Sequence, residues 1–132
     1  VTERRSSTVE VPPGLRVLVV EDEALISMHL EDILEQLGCR IVGPAANIDA
    51  AQRMVQRVQD FDIAILDVNL AGHPIYPVAQ QLIAQGRPFL FMTGYAENAI
   101  DRQHFLGERM DIVTKPFQIH ELLDKVRRSL DA

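Results

Sequence analysis

The chain has 132 residues, 47% of them hydrophobic and 24% charged, enough for one compact domain and too few for two ordinary ones. Its formal net charge of -6 excludes nucleic-acid binding through a phosphate-neutralising basic surface, and its single cysteine, Cys39, excludes an internal disulfide or a multi-cysteine zinc site. With no apolar run near the roughly 20 residues of a membrane span and no apolar signal core, a soluble cytoplasmic protein without membrane partners is expected.

Residues 1 to 14 are polar and end in Val11-Pro12-Pro13-Gly14, which reads as a mobile leader, with the folded domain spanning 15 to 132. Arg16-Val17-Leu18-Val19-Val20 is a short β-branched apolar run, expected of a strand covered on both faces. From Ala24 the spacing is helical, with Leu25, Met28, Ile33, Leu34 and Leu37 on or near one face and Gly38 at the end. Arg40 to Pro44 reads as a second strand. Ile48 to Val58 reads as a second helix, capped by Asn47 or Asp49 and burying Ala51, Met54, Val55 and Val58. Phe61 to Leu66 gives a third strand ending at Asp67, followed by a loop with Gly72 and Pro74 and a helix over Tyr76 to Gln85. Pro88 to Met92 and Met110 to Val113 are strands four and five, and Ile119, Leu122, Leu123, Val126 and Leu130 stripe a final helix.

Five strand-helix alternations with short connections predict a doubly wound, five-stranded parallel sheet with helices on both faces, in the flavodoxin-like order 2-1-3-4-5. Ligands of such sheets bind beyond the carboxyl ends of the strands, at the switch point between strands one and three. The polar residues Glu21, Asp22, Asp67, Thr93 and Lys115 all fall at strand ends. Three acids from two neighbouring strands call for a neutralising cation, and an all-oxygen set with room for water suits Mg²⁺. Any one such acid could simply face solvent; their convergence with a lysine argues against that for all three. Lys115-Pro116 is a candidate cis step that would aim the lysine. An acceptor carboxylate, a metal, a lysine and a hydroxyl are parts for phosphoryl transfer.

The blocks Val17-Leu18-Val19-Val20-Glu21-Asp22-Glu23, Ile65-Leu66-Asp67-Val68-Asn69-Leu70, Met92-Thr93-Gly94 and Lys115-Pro116-Phe117 resemble the four signature blocks of receiver domains of two-component response regulators, over about Leu15 to Leu130. The resemblance implies that Asp67 accepts a phosphoryl group from a histidine kinase or a histidine phosphotransfer protein. It matches Glu21 and Asp22 to the family's acidic pair, Asn69 to the residue lending a backbone carbonyl to Mg²⁺, and Thr93 and Lys115 to the phosphoryl contacts. Pro88 to Tyr95 is similar to the Phe-Ala-Thr-Gly-aromatic block of a mainly single-domain alphaproteobacterial subgroup, with Met92 in place of Ala. Ile112 departs from the family, which usually has Tyr or Phe there. The expected switch is therefore Tyr95 or a reordered 97 to 107 segment, unless Tyr95 is only a half-exposed loop aromatic.

The resemblance implies a module that catalyses only its own phosphorylation and dephosphorylation. An aspartate-nucleophile phosphohydrolase is the enzyme alternative, disfavoured because Asn69 stands where a second acid is needed. A partner-binding pseudo-receiver is disfavoured by the complete acid, threonine and lysine set. No DNA-binding segment follows Ala132 in the sequence as read, so output to an unidentified protein is expected through protein contacts, on the face of the fourth helix region, strand five and the last helix. His29, His73, His104 and His120 lack metal-ligand spacing and read as surface residues, with His73 alone placed near the cleft; Cys39 reads as a buried filler.

Overall fold

The computed structural model describes residues 11–57, 60–94, 111–115 and 118–130. In chain order the elements are β1 (Arg16–Val20), α1 (Ala24–Gln36), β2 (Arg40–Ala45), α2 (Ile48–Gln56), β3 (Ile63–Asp67), β4 (Asn69–Leu70), β5 (His73–Pro74), α3 (Tyr76–Ala84), β6 (Phe89–Thr93), β7 (Ile112–Thr114) and α4 (Ile119–Leu130). The main sheet is parallel with order β2-β1-β3-β6-β7, the flavodoxin-like order expected. No helix among the described residues is long and apolar enough to cross a membrane.

The sheet separates two cores because strand side chains alternate between faces. Val17, Val19, Ile63, Ile65, Leu90 and Met92 pack with residues of α1 and α4. Leu18, Val20, Ala64, Leu66 and Phe91 pack on the other face with residues of α2 and α3, and Ile112 joins them. Burial on both faces explains why the strands read as continuous apolar runs rather than alternating ones.

Three expectations are corrected. Leu25 and Met28 do not face the core: they are 80% and 59% exposed, and α1 instead buries Ser27, Leu30, Ile33 and Leu34. Nine residues at about 100° each put Leu25 half a turn from Leu34, so these two leucines cannot share a face. Val11 to Gly14 is not a loose tail. Val11 is buried in the core of α1 and α4, and the Gly14 N–H donates to the Gly38 carbonyl at 2.9 Å. The segment after Asp67 is not a plain loop but an antiparallel hairpin, β4 on β5, turned by Ala71 and Gly72 at φ 50 and 84. Two successive positive φ values suit a tight two-residue turn matched to strand twist, and Ala71 holds a conformation that ordinarily goes to Gly, Asn or Asp.

Elsewhere the local chemistry matches the reading. Asn47, not Asp49, caps α2, accepting from the Ala50 N–H at 2.8 Å, while Asp49 pairs with Arg53 one turn on. Cys39 is buried, and burial pushes its thiol up to about 11. His29, His73 and His120 are exposed. Val58, Tyr95, the 97 to 107 segment, His104, Met110 and Pro116 lie outside the described residues.

Candidate functional site

Each strand delivers its terminal polar residue by a backbone bond to its neighbour. The Glu21 N–H donates to Ala45 (3.0 Å), Val68 to Met92 (3.0 Å) and Lys115 to Thr93 (2.7 Å), so the ends of β1, β3, β6 and β7 stay in register up to the cleft. Ligand oxygens of Glu21, Asp22 and Asp67 all lie within 4.8 Å of one another. Glu21 and Asp67 are buried and Asp22 is exposed. Thr93 is buried, and together with Asp67 and Lys115 it lines a cavity of about 690 Å³.

Lys115 Nζ sits 3.1 Å from Glu21 Oε1 and 3.5 Å from Asp67 Oδ2, bridging the two buried acids. The contact to Glu21 falls within ion-pair range, yet Oε1 has no hydrogen bond, so the approach is close without alignment and that oxygen keeps unmet demand. Glu21 Oε2 accepts from the Glu23 N–H at 3.0 Å. Asp67 Oδ1 accepts from the Asn69 N–H at 3.3 Å, a contact that ties the hairpin to the carboxylate.

Burial pushes the Asp67 carboxyl up to about 7, and the neighbouring Glu21 charge adds to this against the opposing pull of Lys115. Burial would lower Lys115, but its close contacts with the negative charges of Glu21 and Asp67 outweigh it and raise the ammonium above its ordinary value. One lysine therefore does not satisfy the acids. A buried oxygen without a hydrogen bond, two further carboxylates within reach and an exposed edge at Asp22 fit a hard divalent cation that retains water ligands.

All five residues expected at the strand ends are thus brought to one end of the sheet. Of the expected switch residues, Ile112 is buried opposite Phe91 in the α2/α3 core and does not line the cleft. His73 does not line the cavity either, although its neighbours Gly72 and Pro74 do. Ile26, Pro74 and Tyr76 line it and were not anticipated, because apolar side chains carry no chemical signature until the hairpin and α1 bring them beside Asp67.

The family described as response regulator receiver domain matches residues 17–127. The chain belongs to that family. The receiver is 31% identical over 123 residues to the uncharacterized transcriptional regulatory protein YbdJ of Bacillus subtilis, covering 89% of this chain and 52% of the relative. It spans about half the length of the regulators first matched. Among solved structures, the BeF3-activated conformation of SdrG from Pseudomonas melonis Fr1 is 35% identical with a TM-score of 0.74, covering 91% of this receiver and 99% of that chain. The receiver domain of sensor histidine kinase PA1611 from Pseudomonas aeruginosa PAO1, solved with a magnesium ion coordinated in its active site cleft, is 27% identical with a TM-score of 0.76, covering 90% and 99% respectively.

Proposed function

We propose that this receiver accepts a phosphoryl group on Asp67 from a histidine kinase or a histidine phosphotransfer protein, with Mg²⁺ held by Glu21, Asp22, Asp67 and the Asn69 backbone carbonyl. The observation that carries this reading is the buried pair of acids bridged by Lys115 Nζ, with Asp22 within reach of both. When bound, the cation offsets negative charge that three carboxylates and an incoming phosphoryl group would otherwise concentrate. Asp67 presents the nucleophilic oxygen. Lys115 supplies a point charge for a phosphoryl oxygen, and Thr93 supplies a hydroxyl donor. The exposed Glu23 and the half-buried Ile26 flank the approach.

The phosphoryl group is the signal and not a product released to others, so the module acts only on itself. Its reader is a protein. Exposed Leu25 and Met28 on α1, next to Ile26 at the cleft, give a protein donor an apolar surface beside the reacting carboxylate. The signal leaves through Tyr95 or the 97 to 107 segment, since Ile112 supplies no aromatic to follow Thr93.

Incubation with Mg²⁺ and acetyl phosphate tests the central step. Intact mass should rise by one phosphoryl group, the adduct should be discharged by hydroxylamine, and Asp67→Ala should remain unlabelled. Equal labelling of Asp67→Ala, or none of the parent protein, overturns the reading.

A further inference from the structure

The hairpin after Asp67 aims a backbone carbonyl. Leu70 pairs with His73 across the two-residue turn Ala71-Gly72, and Asn69 pairs with Pro74. Antiparallel pairs alternate between those that exchange two backbone hydrogen bonds and those that exchange none. The pair flanking a two-residue turn is of the bonded kind. On the other side of Asn69 and Pro74 the ladder closes again, the Ile75 N–H donating to the Val68 carbonyl at 2.9 Å. Asn69 and Pro74, lying between these bonds, exchange none. Proline, which has no N–H to give, fits a ladder position that asks for none.

The N–H and C=O of a strand residue leave the backbone on the same edge, which is why a bonded pair uses both. At Asn69 that edge faces away from β5. Its N–H donates to Asp67 Oδ1 at 3.3 Å, so its carbonyl leaves β4 on the side of that carboxylate. Asn69 also lines the cleft together with Asp67, Thr93 and Lys115. A ladder slipped by one residue would make Asn69 a bonded residue and turn its carbonyl into β5.

Resting on the reading of Mg²⁺ beside Asp67, we propose that Ala71 and Gly72 are positioning residues for that cation: their turn sets the register that keeps the Asn69 carbonyl out of the ladder and on the side of the acids. A turn of this kind needs positive φ at both central residues, and Ala71 and Gly72 hold φ 50 and 84. Leu70 and Ile75, both fully buried, anchor the hairpin to the α2/α3 core before and after the turn. A hard cation takes backbone carbonyl oxygens as well as carboxylates. The acids supply charge, and the turn supplies the direction of one neutral ligand.

The test is a titration of isotope-labelled protein with Mg²⁺, followed by NMR, which reads the dissociation constant and, at the Asn69 carbonyl carbon, the ligand itself. In the parent protein that carbon should shift together with the Asp67 carboxyl carbon. Ala71→Pro locks φ near about -65°. Gly72→Val opposes positive φ through its β-branch, although a Cβ there meets nothing within 4 Å. Each should weaken Mg²⁺ binding about 10–100-fold, as loss of the groups that orient a metal ligand does, and abolish the Asn69 shift. Ala71→Gly and Ala71→Asn, which keep positive φ, should hold the parent affinity. Val55→Ala, which thins the α2/α3 core without touching the cleft lining, should destabilise the fold and leave the affinity unchanged. Amide spectra of the metal-free proteins check folding, and if Ala71→Pro is unfolded, Gly72→Val carries the same expectation. Parent affinity in the turn variants, or an equal loss in Val55→Ala, overturns the positioning role alone. A parent protein whose Asp67 and Asn69 signals ignore Mg²⁺ overturns the metal reading and the positioning role with it.

Discussion

Lys115 Nζ lies 3.1 Å from Glu21 Oε1, joining the end of β7 to the end of β1 across two intervening strands. The same ammonium reaches Asp67 on β3, so a single cation serves two buried carboxylates. Removing it strands both. Lys115→Ala should therefore lower unfolding free energy by about 3 kcal/mol near neutral pH without metal, the order found when one partner of a buried pair is deleted. Mg²⁺ should recover most of the loss. Urea midpoints with and without Mg²⁺ measure both effects, and a midpoint unmoved by the substitution counts against the bridge.

Asp67 gives the stability a definite pH dependence. Its folded pKa, about 7, is raised above the unfolded carboxylate value. Such a group contributes stability that is fully present below the unfolded pKa of about 3.9 and is lost as pH rises through the folded value. Metal-free protein should thus weaken between about pH 4 and pH 8 through this group. Mg²⁺, which competes with the proton, should raise the melting temperature more at about pH 8 than at about pH 5. Melting scans at the two pH values decide it; an equal rise at both contradicts the assignment.

The two faces of α1 should respond oppositely to truncation. Leu30 is fully buried and Leu25 is 80% exposed. Leu30→Ala should cost about 2–5 kcal/mol through lost burial and a residual cavity, whereas Leu25→Ala should stay within about 0.5 kcal/mol. Denaturant titration of the pair checks the orientation of the helix. Comparable losses would mean that Leu25 packs in solution.

Gly43 in β2 has φ +95, and a Cβ there would lie 3.0 Å from the Val19 carbonyl oxygen and from the Ala45 backbone nitrogen. Both neighbours are backbone and cannot step aside as a side-chain tip would. Gly43→Ala should cost about 1–3 kcal/mol from the strained conformation alone, more if the β1–β2 pairing loosens. Thermal unfolding measures this, and an unaltered midpoint would show that β2 relaxes freely.

Sequence by itself determined the architecture and marked the polar residues that close the strands. Runs such as Val17 to Val20 and Ile63 to Leu66 are apolar at every position because the sheet is covered twice, and the alternation of strands and helices leaves little choice of topology. Strand-end polar residues were legible for the same reason: each interrupts an apolar run at the point where the backbone leaves the sheet. Tertiary structure decided what depends on neighbours distant in the chain. It chose Ser27 and Leu30 over Leu25 and Met28 for the buried face of α1, since residues at helical spacing can turn either way until a sheet is present. It folded Asn69 to Pro74 into a hairpin with Ala71 at positive φ, a conformation no local preference of alanine favours. By that turn it brought Pro74 and Tyr76 to the cleft beside Ile26, giving apolar residues a place in the site that only their position could supply.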